Sequence, residues 1–384
     1  MKTVMRCMTP WLAMALFIAD WNIAQAARFS GGPGYRIWLG PENQVLTQGT
    51  NGFGQLGTGG IVRRDTPQQP AELVGFSAVS ARWTHVLTLK QDGTVWAWGI
   101  NSYGQVGARF NTFNIVNVLT SVTGITFAVP SERQPLLLDL PPVKFIAAGF
   151  AHSLAVDNEG RLWGWGQNNH GQLGLGDGLT RLLPAQSKNV SGLNALAAGW
   201  NHSLAIRGDG QVLAWGTNAQ GQLAMAAPND VPIPTVVPNL PPMQAVAAGA
   251  TYSLALGRNG QVWAWGQASF ASALPAPIVG LDHVKHVESG SNHLLALRED
   301  GTVWSLGEND RGQLGLGDQV PRAKPVQIQG LTRIVDIGCG DGFSMAQDVD
   351  GVIYAWGDNT SSQLGPYDGH GSLWLEPYPT RGTP

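Results

Sequence analysis

RLWGWGQNNHGQLG, residues Arg161–Gly174, decides the architecture of this chain. Its first half alternates, with Leu162 and Gly164 on one face of a strand and Trp163 and Trp165 on the other. Its second half is a turn, because Gly166, Asn168 and Gly171 stand where positive φ is cheap. The string recurs as VWAWGINSYGQVG (Val95–Gly107), VLAWGTNAQGQLA (Val212–Ala224) and VWSLGENDRGQLG (Val303–Gly315). Weaker copies are VLTQGTNGFGQLG (Val45–Gly57), VWAWGQASF (Val262–Phe270) and IYAWGDNTSSQLG (Ile353–Gly365), seven copies in all. The glycines that end the Trp strands are Gly49, Gly99, Gly166, Gly216, Gly266, Gly307 and Gly357, spaced 50, 67, 50, 50, 41 and 50 residues apart.

A second short strand precedes each Trp strand and closes on an acidic-Gly or Asn-Gly turn. Examples are HVLTLKQDG (His85–Gly93), HSLAVDNEG (His152–Gly160), HSLAIRGDG (His202–Gly210), YSLALGRNG (Tyr252–Gly260) and HLLALREDG (His293–Gly301). Asp-Gly or Asn-Gly between two alternating runs signals a hairpin. Before the hairpin stands another apolar segment ending in Gly: FIAAG (Phe145–Gly149), ALAAG (Ala195–Gly199), AVAAG (Ala245–Gly249). Farther upstream lies a Pro-punctuated piece such as PTVVP (Pro234–Pro238), tolerable only at a sheet edge. The unit is therefore about four strands in roughly 50 residues, the size of a propeller blade.

The alternation predicts how blades stack. Trp96 and Trp98 share one face while Val95 and Ala97 share the other, and later copies keep a small residue at the Ala97 position: Gly164, Ala214, Ala264, Ser305, Ala355. A bulky face then packs on a neighbour's small face at native density, so the Trp strands are core. The predicted fold is all-β: one seven-bladed propeller over residues 27–384. Two departures break the rhythm, a connection some 17 residues longer between Gly107 and Val143 (insert 108–142) and a missing Gln-Leu-Gly turn after Trp265. The mature chain is expected to start inside a blade at Phe29, and the Pro-rich tail Leu373–Pro384 to complete that same blade and close the ring.

Composition fits this plan. Of 384 residues, 13% are charged, where roughly 25% is usual, and the chain holds 51 Gly and 15 Trp. No block of like charge suggests a nucleic-acid partner. Met1–Ala26 is expected to be a signal peptide: Lys2 and Arg6 precede the apolar run Trp11–Ala19, and Ala24-Gln25-Ala26 has small-x-small spacing. The apolar run is too short to span a bilayer, which takes about 20 residues. Cleavage near Ala26 would leave 384 − 26 = 358 residues with net charge −3 − 1 = −4, because Lys2, Arg6 and Asp20 sum to +1. A secreted or periplasmic, monomeric protein without stable membrane insertion is expected. Cys7 would leave with the leader, and Cys339 would remain without a disulfide partner.

The combined string Gly-x-x-His-Ser-Leu-Ala…Asp-Gly-x-Val-Trp-x-Trp-Gly-x-Asn-x-x-Gly-Gln-Leu-Gly resembles the repeat of the regulator-of-chromosome-condensation family over about residues 29–384. The resemblance implies a seven-bladed β-propeller. The family includes the nuclear exchange factor for the Ran GTPase, secreted bacterial propellers such as a β-lactamase inhibitor, and many interaction modules. Fold therefore leaves function open.

Other signatures fail. Gly52-Phe53-Gly54-Gln55-Leu56-Gly57 matches GxGxxG, yet it is one copy of the repeated turn with no helix pattern after it. P-loop, HExxH and GxSxG strings are absent. The recurrent His85, His152, His202 and His293, replaced by Tyr35, Tyr252 and Phe343 elsewhere, occupy equivalent blade positions spread around a ring, so they predict structural hydrogen bonding and no metal site. Asp92, Asp209, Asp300 and Asp350 are turn residues, so no catalytic carboxylate pair and no cofactor are expected.

The position two residues before the histidine varies: Pro33, Trp83, Phe150, Trp200, Ala250, Ser291, Asp341. Three consecutive units carry aromatics in a loop at one end of the propeller, the pattern of a protein-binding hot spot. Their alternative role is to plug the channel mouth. Tyr103, Phe110 and Phe113 are expected to extend the patch, with Asn201 and Asp341 beside it. The favoured function is a protein-binding propeller. A guanine-nucleotide exchange factor is the alternative, and an enzyme or sugar binder using Asp341 and Asn201 is the third reading.

Overall fold

A computed structural model of the chain describes residues 27–70, 73–108, 135–226, 230–366 and 371–380. The expected leader Met1–Ala26, and Phe110 and Phe113 of the insert, lie outside the described residues. The described strands form seven four-stranded antiparallel sheets in chain order. These are blade 1 (β1–β4, residues 29–68), blade 2 (β5–β8, 76–137), blade 3 (β9–β12, 143–186), blade 4 (β13–β16, 193–236), blade 5 (β17–β20, 243–277), blade 6 (β21–β24, 284–327) and blade 7 (β25–β28, 334–380). The first strand of each blade is innermost.

The hairpin register is the one the turns dictate. His152 pairs with Gly166 and Val156 with Leu162, and Asp157 caps the reversal by accepting from the backbone N–H of Glu159 and Arg161. Blades then stack bulky on small. Trp165 is fully buried against Leu87, Val95 and Ala97 of the preceding blade, as Trp215 is against Leu154 and Leu162. Ala97, Ala214, Ala264 and Ala355 are all buried at this interface.

Each indole also donates to a carbonyl of the preceding blade: Trp98 Nε1 to Gln55 (2.9 Å), Trp165 to Gln105 (3.0 Å), Trp215 to Gln172 (2.8 Å), Trp265 to Gln222 (2.8 Å) and Trp356 to Gln313 (2.9 Å). A buried indole N–H needs such a partner.

Ring closure differs from the sequence expectation. No blade is shared between the chain ends, because residues 29–32 form β1, the innermost strand of blade 1, while Leu373–Thr380 form β28, the outermost strand of blade 7. The chain enters the ring at an inner strand and leaves it at an outer one, so the repeats come out in whole blades. Closure is instead a packed seam: Phe29, Trp38 and Leu46 of blade 1 pack with Phe343, Met345, Leu364 and Trp374 of blade 7. Arg36 Nη1 donates to Thr380 Oγ1 (3.2 Å) and Gln48 Nε2 to the Ser362 carbonyl (2.9 Å) across it. The sequence hid β1 behind Gly31 and Gly32. Gly31 is required there because a Cβ would meet the Phe343 ring at 2.5 Å.

Deleting Leu373–Pro384 is expected to lower the melting temperature in calorimetry, since it strips the outer strand of blade 7 and removes buried Trp374 from the seam. An unchanged melting temperature would refute this closure. Trp98→Ala and Trp165→Ala are expected to cost about 3–5 kcal/mol each in denaturant titration, the range for large buried aromatics.

Candidate protein-binding face

The loops between first and second strands lie at one end of the ring and bring the variable position to the mouth of a central channel. The channel, about 160 Å3, is walled by the inner strands of all seven blades, and its lining includes Trp83, Trp200, Ser291 and Asp341. Trp83 and Phe150 stack with ring centroids 4.5 Å apart at 33°, and Phe150 and Trp200 follow at 5.7 Å and 53°. Trp83 is 38% exposed, while Phe150 and Trp200 are half-buried. Across the mouth, Ser291 Oγ donates to Asp341 Oδ1. The rim is thus aromatic on one arc and polar on the other.

The remaining expected residues are less central. Asn201 adjoins Trp200, half-buried, with its carbonyl accepting from Thr217 N–H (2.9 Å). Tyr103 is exposed but sits on the loop that leans on β12 of blade 3, where a Cβ on Gly104 would meet Leu182. It does not line the channel.

Two features escaped sequence reading. Arg82, on β5, reaches across the channel, with Nη2 donating to the carbonyls of Ala248 (2.7 Å) and Ser289 (3.4 Å). Burial pulls its pKa down, opposed by the fields of Asp341 and Glu288. The available signal was positional, since the other six units have glycine there: Gly32, Gly149, Gly199, Gly249, Gly290 and Gly340.

The second is His286, whose Nε2 lies 3.0 Å from Glu288 Oε1 and whose Nδ1 lies 3.3 Å from Asp336 Oδ1 at an angle unsuited to a hydrogen bond. Burial disfavours the imidazolium, but the two carboxylates outweigh it and push the pKa up to about 10. The carboxylates come from β21 and β25, so only pairing of blades 6 and 7 assembles the cluster.

The four repeat histidines each engage the next blade. Nε2 of His85, His152, His202 and His293 lies 3.0, 3.1, 3.1 and 2.9 Å from Oγ of Ser153, Ser203, Ser253 and Ser344. Each serine spends its one proton on a Gln carbonyl: Ser153 on Gln105, Ser203 on Gln172, Ser253 on Gln222 and Ser344 on Gln313. The imidazole must therefore donate from Nε2 and is neutral with Nδ1 bare. Desolvation pushes the pKa of His85, His152 and His202 down to about 3 and that of His293 to about 4.

Where the next blade lacks the serine, the histidine is absent too. Tyr35 faces the blade with Val86, Tyr252 the blade with Leu294, and Phe343 the blade with Arg36. The two tyrosines bridge differently, donating to the His85 carbonyl (3.2 Å) and the His293 carbonyl (2.6 Å).

A closed seven-bladed ring built from these repeats defines the class, a repeat β-propeller. Within it the chain belongs to the RCC1-like domain family, whose model matches residues 28–273. Models of the regulator of chromosome condensation (RCC1) repeat match 284–313, 300–347 and 334–363.

The chain is similar to the ultraviolet-B receptor UVR8 of Arabidopsis thaliana, 29% identical over 142 residues covering 36% of this chain and 29% of the receptor. It is also similar to the RCC2 homolog of Xenopus laevis, 33% identical over 135 residues covering 35% of this chain and 23% of that protein. The matched stretches thus span less than a third of these relatives. Among solved structures, yeast RCC1 (Prp20) bound to Kap60 has the same fold, with a TM-score of 0.77, 20% identity, and coverage of 99% of this chain and 91% of that one.

The histidines give a pH prediction. Their folded pKa values lie below the unfolded 6.5, so the unfolded chain binds protons first. Stability is then intact above pH 6.5 and is lost as pH falls towards about 3. His286 has the opposite sign: its contribution is full below pH 6.5 and is lost as pH rises through about 10. His202→Tyr, importing the blade 5 residue, should reduce the proton uptake on acid unfolding by about one, read from the slope of stability against pH between 6.5 and 4.

Proposed function

We propose that this chain is a secreted or periplasmic protein-binding propeller whose partner docks on the channel-mouth face over Trp83, Phe150 and Trp200. The observation that carries the reading is the contiguous, partly exposed aromatic stack on loops of three successive blades. Such rings supply large contact area at low conformational cost and dominate interface energetics. The opposite arc, with Ser291 and Asp341, offers a hydrogen-bonding rim that sets orientation rather than affinity. Asn201 lies beside the stack and belongs to its edge. Tyr103 forms an outlying contact at most, because its loop leans away over blade 3. Family membership supports the reading, since propellers of this family include protein binders. Nucleotide exchange on a small GTPase is the second reading and rests on fold-level likeness alone.

The partner is to be captured from the host's envelope and then titrated by calorimetry. Trp83→Ala, Phe150→Ala and Trp200→Ala should each weaken binding by about 2 kcal/mol or more while lowering stability by well under the ~3–5 kcal/mol of a buried aromatic. If Trp83→Ala and Trp200→Ala unfold the protein while its folded fraction binds normally, the rings are core and the site lies elsewhere. Mass spectrometry of protein exported by a Gram-negative host should find a mature N-terminus near Ala27. Recovery of intact Met1 in soluble cytosol would return the exchange-factor reading to first place.

A further inference from the structure

Arg82 stands where the repeat uses glycine, and the reason for that glycine is steric. A Cβ at Gly149, Gly199, Gly249, Gly290 or Gly340 would fall 2.1, 2.2, 1.9, 2.1 or 2.1 Å from the His, Tyr or Phe ring that follows three residues later. No real Cβ sits that close, so the blade that carries Arg82 cannot use the same turn. In blades 3 to 7 the inner strand stops before the glycine, whereas β5 (Phe76–Arg82) runs one residue farther and Arg82 pairs with His85. Only Trp83 and Thr84 remain to reverse the chain, and Trp83 is forced to φ +54°. Its counterparts Phe150, Trp200, Ala250, Ser291 and Asp341 all avoid the left-handed region. A bulky residue holds that conformation only where its surroundings over-determine it.

Two contacts constrain the turn: the Trp83 carbonyl lies so close to Gly32 of blade 1 that a Cβ there would fall 2.0 Å from it, and the Arg82 guanidinium anchors the residue before Trp83. From blade 2 the guanidinium crosses the channel to the Ala248 and Ser289 carbonyls of blades 5 and 6, and no carboxylate lies within ion-pair distance of it among the described residues. A planar, permanently charged donor fixed on two carbonyls in a desolvated channel is a rigid tether. The backbone it tethers carries Trp83 into its 4.5 Å stack on Phe150. We propose that Arg82 is the positioning residue of the aromatic face, a strut across the channel that holds the Arg82–Trp83 turn and so sets Trp83 in the stack. The proposal rests on the aromatic face being the binding surface for its functional meaning, though not for its geometry.

The test is 19F NMR of the full chain labelled with 5-fluorotryptophan, with the Trp83 line assigned by its loss in Trp83→Phe. Phe150→Ala calibrates the displacement of that line when the stack is lost. Arg82→Gln, too short to reach both carbonyls, is expected to displace the Trp83 line by at least half as much, while the Trp98 and Trp165 lines stay in place. Arg82→Lys, which still spans the channel, should restore most of the wild-type shift. If Arg82→Gln does not fold, Arg82→Gly restores the repeat's own residue and is read in the same way. A Trp83 line that coincides with wild type in the folded variant, while Phe150→Ala moves it, overturns the strut. A displaced line together with undiminished partner binding by Trp83→Ala and Trp200→Ala keeps the strut and removes the binding reading.

Discussion

Five of the seven inter-blade contacts depend on one backbone carbonyl each, that of the glutamine in the Gly-Gln turn. At Gln105, Gln172, Gln222 and Gln313 it accepts two hydrogen bonds from the next blade, one from the core tryptophan and one from the serine of the second strand. The serine in turn accepts from a histidine of the glutamine's own blade. A carbonyl has two lone pairs, and both are used where water cannot reach. Leaving either donor buried and unpaired would cost as much as the bond is worth, so the residues belong together as a unit.

Blade 5 shows this by its absences. It lacks the Gly-Gln-Leu turn, and the following blade lacks both donors, with Leu306 in place of the tryptophan and Leu294 in place of the serine. The histidine is gone as well, replaced by Tyr252, which packs edge-on against Phe270 at 5.1 Å and reaches the next blade's carbonyls instead. Once the acceptor is lost, apolar packing is the cheaper way to fill the interface. The same logic makes the buried histidines neutral structural donors, whereas His286, held by two carboxylates, keeps its charge.

A scaffold fixed by repeated units leaves its inner-loop positions free to vary. That freedom is what the channel mouth uses: the strand pairing and inter-blade bonds hold the loops in place, and the side chains at Trp83, Phe150, Trp200, Ser291 and Asp341 carry no part of the carbonyl unit. Blade 2 goes further, exchanging the repeat's glycine for Arg82 and turning its loop differently from the others.

The architecture was legible because it is periodic. Alternating Trp strands, Asp-Gly turns and recurring Gly-Gln-Leu strings are local signals, each set by backbone conformation within a few residues. The candidate aromatics were visible for the same reason, as departures from a repeat. Three things were not legible. The strand Phe29–Gly32 was hidden by glycines whose need lies in tertiary contacts, Gly31 against the Phe343 ring and Gly32 against the Trp83 carbonyl. The reach of Arg82 to Ala248 and Ser289 spans 166 and 207 residues and exists only once the ring has closed. The pairing of His286 with Asp336 joins two blades across an interface. The blades, their number and their stacking can be read off the chain, because these follow from short-range pattern. Tertiary structure decided how the ring closes and what crosses its channel, because those contacts join residues that no local pattern relates.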